Sequence, residues 1–91
     1  MPKGKGDAKR HEKQEIRRVR NRSVRSAVKT FIGKARVAIN TGPLEDATEQ
    51  TVLKAIQELD RAARKGIIHR NNAARRKSRL IKRARTAADA A

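Results

Sequence analysis

The sequence predicts an all-α fold: an antiparallel three-helix bundle whose long first helix protrudes at its N-terminal end, behind a flexible basic tail. Three observations predict it. Apolar side chains recur every three or four residues in three segments, the spacing of one face of an α-helix. The segments are divided at Asn40-Thr41-Gly42-Pro43 and at Lys65-Gly66, both of which punctuate helices. The chain carries no alternating strand pattern. Short connections between three helices favour an antiparallel bundle. The expectation is one domain over 8–88, with helices at about 8–40, 43–65 and 70–88 and a frayed end at 89–91.

The elements follow in order. Residues 1–7, MPKGKGD, mix proline, glycine and lysine without periodicity and read as a flexible basic tail. From Ala8 to Ile39 there is no proline and one glycine, Gly33, which weakens a helix by about 1 kcal/mol relative to alanine. Val24, Val28, Phe31, Ala35 and Ala38 form its apolar stripe. Gly42 suits a C-terminal cap and Pro43 the first helical position. Glu45, Asp46 and Glu49 then fall where carboxylates favour the helix dipole. The second stripe is Leu44, Thr48, Val52, Ala55, Ile56, Leu59 and Ala63, with Glu58–Arg61 and Asp60–Arg64 placed to pair. Ile67 and Ile68 lie in the connection and plug the end of the core. Asn71 or Asn72 is the expected N-cap of the third helix, whose stripe is Ala73, Leu80, Ile81, Ala84 and Ala88.

Composition narrows the function. The 91 residues hold 25 Lys+Arg against 9 Asp+Glu, a net charge of +16, and no cysteine. That excludes a disulfide framework and a thiolate metal site. No apolar run is long enough to span a membrane. The basic N-terminus has no apolar core of a secretory signal, and Asp7, Glu12 and Glu15 speak against a transit peptide. There is no Gly-rich phosphate loop and no Ser/His/Asp constellation. The acidic residues form no catalytic pair. His69 is not expected to hold a metal, because the only other histidine is His11 and there is no cysteine. The expectation is therefore no enzyme, no cofactor and no metal, in a cytoplasmic protein whose partner is a polyanion.

The charge is unevenly placed. Residues 1–40 net +10, residues 41–60 net −4 and residues 61–91 net +10. Continued backwards from Val24, the first core stripe lands on Arg20, Arg17, Lys13 and Arg10. A helix does not bury four cations against its own bundle at tolerable desolvation cost. The helix therefore overhangs the bundle and turns this face to an anionic partner. Thirty-three helical residues span roughly 50 Å at 1.5 Å each.

The candidate contacts follow from this. Lys3, Lys5, Lys9, Arg10, Lys13, Arg17, Arg18, Arg20, Arg22, Arg25 and Lys29 line the tail and overhang, where guanidinium forks suit phosphate oxygens. Asn21, Ser23, Ser26 and Thr30 add neutral donors. Lys65, His69, Arg70, Asn71 and Asn72 surround a helix start, whose N–H groups favour phosphate. Arg75, Arg76, Lys77, Arg79, Lys82 and Arg83 make a second basic surface on the third helix. Phe31, the one aromatic residue, lies on the core stripe, so base-stacking platforms are excluded. Rival readings are a histone-like DNA architectural protein, which here lacks an apolar wedge, and a membrane-surface helix, which lacks a bulky apolar face.

A resemblance chooses among these. Lys65-Gly66-Ile67-Ile68-His69-Arg70-Asn71-Asn72-Ala73-Ala74-Arg75-Arg76-Lys77-Ser78 closely resembles a signature of the bacterial small-subunit ribosomal protein family numbered twenty. Arg20-Asn21-Arg22-Ser23, Arg25-Ser26 and Lys29-Thr30-Phe31-Ile32 resemble a second stretch of it, and Asp60-Arg61-Ala62-Ala63 fits as well. The likeness covers nearly the whole chain, departing at the MPKGKGD start and at Gly33. It implies a three-helix bundle that binds small-subunit ribosomal RNA directly and early in assembly. It further implies a bridge between the five-prime domain and the long stem of the three-prime minor domain. The accompanying expectations are few or no protein contacts, a monomer when free, no membrane, and a place on the cytoplasmic ribosome, with an organellar ribosome as the open alternative.

Overall fold

The computed structural model describes residues 5–91. Lys3 and the first four residues of the expected tail lie outside them. Three helices follow in order: α1 (Lys5–Thr41), α2 (Asp46–Arg64) and α3 (Arg70–Ala90). Among the described residues there is no strand. The all-α bundle is as the periodicity predicts, and the differences lie at the ends of helices.

α1 begins at Lys5, not at Ala8, so residues 5–7 belong to the helix and not to the tail. Gly6 does not break it there, because the first-turn N–H groups have no intrahelical partner to lose. At the other end Pro43 does not open α2. Glu45 N–H donates to the Gly42 carbonyl at 3.2 Å, which makes Gly42–Glu45 a turn with proline second, where its fixed φ fits. Glu45 becomes the N-cap in extended conformation, and Asp46 and Glu49 occupy the first turn. Leu44, expected on the core stripe, is carried out by this turn and is 69% exposed. Thr48 secures the corner: its hydroxyl donates to the carbonyls of Ala38 and Gly42.

The α2–α3 connection closes as a glycine cap. Gly66 takes φ +75°, which an L side chain resists, and Ile67 N–H returns to the Ala62 carbonyl at 3.0 Å. Ile67 and Ile68 are buried in the core, as expected of a plug. The cap of α3 is neither Asn71 nor Asn72. His69 holds the extended N-cap position, and its side chain accepts the Asn71 N–H. The helix starts at Arg70 because Gly66 ends the turn early enough for His69 to be the last extended residue.

The core has two layers. Val28, Leu59, Ala62, Ile67, Ile68 and Ala73 form the first. Ala35, Ile39, Val52, Ala55 and Leu80 form the second. The numbers rise in α1, fall in α2 and rise in α3, so α1 and α3 run the same way and α2 against them. Ile39, rather than Ala38, fills the end of the α1 stripe at 1% exposure. Ile81, placed on the α3 stripe by spacing, stays at the edge because Leu80 takes the inward position. Phe31 is half-buried, with the ammonium groups of Lys34 and Lys54 at 5.9 and 5.8 Å from its ring. It packs, as its place on the stripe predicts.

The core begins at Val24. From Lys9 to Ser23 every residue but the half-buried Asn21 is exposed. The described chain measures 69 × 21 × 14 Å, with a radius of gyration of 18.1 Å. A compact domain of this length has about 12 Å. The excess is the overhang of α1.

Candidate nucleic-acid interface

Two cationic surfaces emerge from this architecture. The first is the overhang. Arg10, Lys13, Arg17 and Arg20 continue the angular phase of Val24, Val28 and Ala35 beyond the end of the bundle, and all four are exposed. Lys9 stands beside this face and Arg22 on the opposite face of the helix. Arg18 differs from these, because its Nη2 lies 2.5 Å from Glu15 Oε1. The hydrogen bond and the charge of Arg18 hold the Glu15 carboxyl below its ordinary value, with His11 and Arg22 adding in the same direction. Arg18 is held above its ordinary value by the same partner. Ile16 and Val19, 66% and 57% exposed, border a shallow hollow beside Ser23 and Arg20.

The second surface is a groove of about 1050 Å³ between α1 and α3. Arg25, Lys29 and Arg36 line it from α1, and Arg76, Arg79 and Arg83 from α3. Ile32, Ile67, Ile68 and Leu80 form an apolar floor, and His69 and Asn72 stand at the end nearest the connection. No carboxylate lines it. Arg25 fixes that end by donating from Nη2 to the Ile67 carbonyl at 3.3 Å. Among the described residues no carboxylate offsets the charge of this lining, which leaves the groove cationic.

The groove reorders the basic surface expected on α3. Arg76, Arg79 and Arg83 turn to α1. Arg70, Asn71, Arg75 and Lys82 are exposed outside the groove. Lys77 is committed elsewhere: its Nζ is 3.4 Å from Asp60 Oδ1 on α2. Asp60 therefore pairs across helices and not with Arg64. Glu58 meets Arg61 at 3.4 Å, as its spacing predicts, and Lys54 at 3.5 Å. Lys65 is exposed at the end of α2. Thr30 donates its hydroxyl to the Ser26 carbonyl of its own helix at 2.9 Å, which removes it as a free donor. Ser26 is exposed on the same helix.

Besides the apolar floor, two lining residues, Arg36 and Gly33, lie outside the sequence-based set of contacts. Arg36 lies seven residues beyond Lys29, two helical turns along the same face, and continuing that face would have found it. Gly33 carries no side chain to signal a role. Among the described residues no group of His, Cys, Asp and Glu comes together that would hold a metal ion, and no helix is long and apolar enough to cross a membrane.

Comparison with known proteins adds an independent observation. The model of the family described as ribosomal protein S20 matches residues 2–85. A protein named small ribosomal subunit protein bS20 from Thermomicrobium roseum is 54% identical over 83 residues, covering 91% of this chain and 83% of its own. Its namesake from Salinispora tropica is 48% identical over 79 residues, with 87% and 89% covered. That from Gemmatimonas aurantiaca is 48% identical over 88 residues, with 97% and 99% covered.

Proposed function

The chain belongs to the ribosomal protein S20 family, and we propose that it is a structural, non-enzymatic component of the small ribosomal subunit in the bacterial cytoplasm. In this reading it binds ribosomal RNA through two surfaces, the overhang of α1 and the groove between α1 and α3. Each surface takes phosphates of a separate RNA element, and the rigid helix between them holds the two elements at a fixed distance. The resemblance implies the five-prime domain and the three-prime minor domain as those elements.

The observation that carries the proposal is the phase of α1. One face of one helix is apolar where α2 and α3 cover it and cationic where they do not. Self-repulsion of this density weakens a compact state unless a polyanion relieves it. Contacts to phosphate position a protein without reading bases, which suits an architectural role. With about 6–10 phosphate contacts, affinity falls roughly 10³–10⁵-fold between 50 and 200 mM salt.

Footprinting of the purified chain on naked small-subunit ribosomal RNA, with excess duplex DNA as competitor, tests this. The expected result is protection of two separated RNA elements, one of them lost in Arg17→Ala plus Arg20→Ala. Diffuse protection that the DNA removes would overturn the proposal and favour a general polyanion binder.

A further inference from the structure

We infer that α3 is the clasp of the groove. RNA phosphates that bridge the cations of its two walls dock α3 on α1, and without an anion α3 loosens from the α1–α2 hairpin. The inference rests on the RNA-binding reading above and adds the conformational consequence of filling the groove.

α3 is lightly anchored. It buries Ala73 and Leu80, so Leu80 is its one large side chain in the core, with Ala84 and Ala87 partly buried against the same layer. The shorter α2 buries Val52 and Leu59 together with Thr48, Ala55 and Ala62. Among the described residues the ion pair that reaches α3 is Lys77–Asp60, at 3.4 Å, and it ties α3 to α2. Arg25 bonds to the Ile67 carbonyl, in the connection ahead of α3. No side-chain hydrogen bond or ion pair joins α1 to α3 itself among the described residues.

Charge opposes the same contact. α3 carries eight Lys and Arg against one acidic residue, Asp89. Arg76, Arg79 and Arg83 line the groove opposite Lys29 and Arg36, with no carboxylate among the lining residues. Packed helices lie about 8–10 Å apart, about one Debye length at 0.1 M salt. The two rows therefore repel each other at moderate salt, and more below it. A phosphate reverses the sign. Its oxygens accept from guanidinium groups on either wall, and the two walls meet only when α3 is docked. An anion that prefers the docked form shifts the population towards it. A backbone of successive phosphates thus closes α3 over the element it belongs to, and docking in turn strengthens the hold on that element.

The test follows amide hydrogen exchange of the full chain in low salt, with tripolyphosphate as the probe and sodium chloride at matched ionic strength as the reference. Without either, the amides around Leu80 are expected to exchange faster than those around Leu59. At about ten times its dissociation constant, tripolyphosphate is expected to slow exchange around Leu80 about tenfold, and sodium chloride to slow it less. Arg79→Gln plus Arg83→Gln is expected to protect α3 better than the parent without anion and to lose the response to tripolyphosphate. Lys82→Gln plus Arg85→Gln removes as much charge from α3 outside the groove and is expected to keep that response. Equal protection by the two salts, equal responses in the two double variants, or equal exchange around Leu80 and Leu59 without anion would each overturn the inference. Affinity for small-subunit ribosomal RNA keeps the two readings apart. If tripolyphosphate leaves α3 unchanged while Arg79→Gln plus Arg83→Gln binds RNA weakly, the clasp fails and the groove stands. Parental RNA affinity in that variant overturns the groove reading and the clasp with it.

Discussion

The imidazole Nδ1 of His69 accepts the backbone N–H of Asn71 at 3.1 Å, so a histidine starts α3. Nδ1 accepts only from the neutral ring, with the proton on Nε2. The bond satisfies one of the N–H groups that a helix start leaves unpaired. His69→Ala is therefore expected to cost about 1 kcal/mol, the usual loss of a cap. His69→Asp supplies another acceptor and stays close to the parent. Urea unfolding followed by circular dichroism separates the two, and equal loss in both variants would refute the capping role.

Thr48 holds the α1–α2 corner from inside. It is 5% exposed, and its hydroxyl reaches the carbonyls of Ala38 and Gly42, one at the end of α1 and one in the turn. Thr48→Val keeps the shape and removes the donor, leaving those carbonyls without it. Both carbonyls keep a backbone donor, Gly42 N–H on Ala38 and Glu45 N–H on Gly42, so a loss of about 0.5–1.5 kcal/mol is expected in urea unfolding. Thr51, whose hydroxyl bonds only to Ala47 of its own exposed turn, serves as the control, and Thr51→Val is expected to stay within about 0.5 kcal/mol.

Periodicity made most of the core legible. Val28, Ala35, Val52, Ala55, Leu59, Ala73 and Leu80 are all buried where the three stripes place them. The stripes err where a helix ends or where two steps fit equally. From Ala35 a step of three gives Ala38 and a step of four gives Ile39, and the larger side chain takes the core. Leu44 has the right spacing but lies in a turn, which spacing does not see. The cationic phase of the overhang was legible for the same reason as the core, since both are properties of one helix. The groove was not, because it belongs to two. Which face of α3 meets α1 depends on how α3 docks on α2, through Ile67, Ile68 and the Lys77–Asp60 pair. Spacing within α3 therefore put Arg76, Arg79 and Arg83 on one surface with Arg75 and Lys82, from which the structure divides them.

Leu59 is fully buried in the layer nearest the overhang, in one cluster with Val28, Ala62 and Ile68. Leu59→Ala leaves a cavity that a small bundle cannot collapse fully, at a cost of about 2–5 kcal/mol. Domains of this size have little more stability than that. The variant is expected to lose cooperative unfolding of α2 and α3 and to regain helicity when ribosomal RNA is added, because a ligand that binds the folded form stabilises it. A sharp melting transition near the parent's would show that Leu59 contributes less than its burial implies.

Arg18 separates bare charge from available charge on the overhang. Its guanidinium is spent on Glu15, whereas Arg17 beside it pairs with no carboxylate among the described residues. Removing Arg17 therefore takes away a free phosphate contact. Removing Arg18 also frees a carboxylate that repels phosphate. Arg17→Ala is expected to lower affinity for ribosomal RNA and to flatten the dependence on log salt by about 0.7–0.9. Glu15→Gln is expected to do the opposite and tighten binding, because it releases Arg18. The Glu15 carboxyl lies below its ordinary value when folded, so its pairing contributes above the unfolded value and is lost as pH falls through the folded one. Carbon-13 titration of the Glu15 carboxyl in low salt reads this directly. The midpoint is expected to return towards an ordinary glutamate in Arg18→Ala, and to do so in the parent as added salt screens the exposed pair. A midpoint that ignores both changes would mean that Arg18 is as free as Arg17, and Glu15→Gln would then leave RNA affinity where it was.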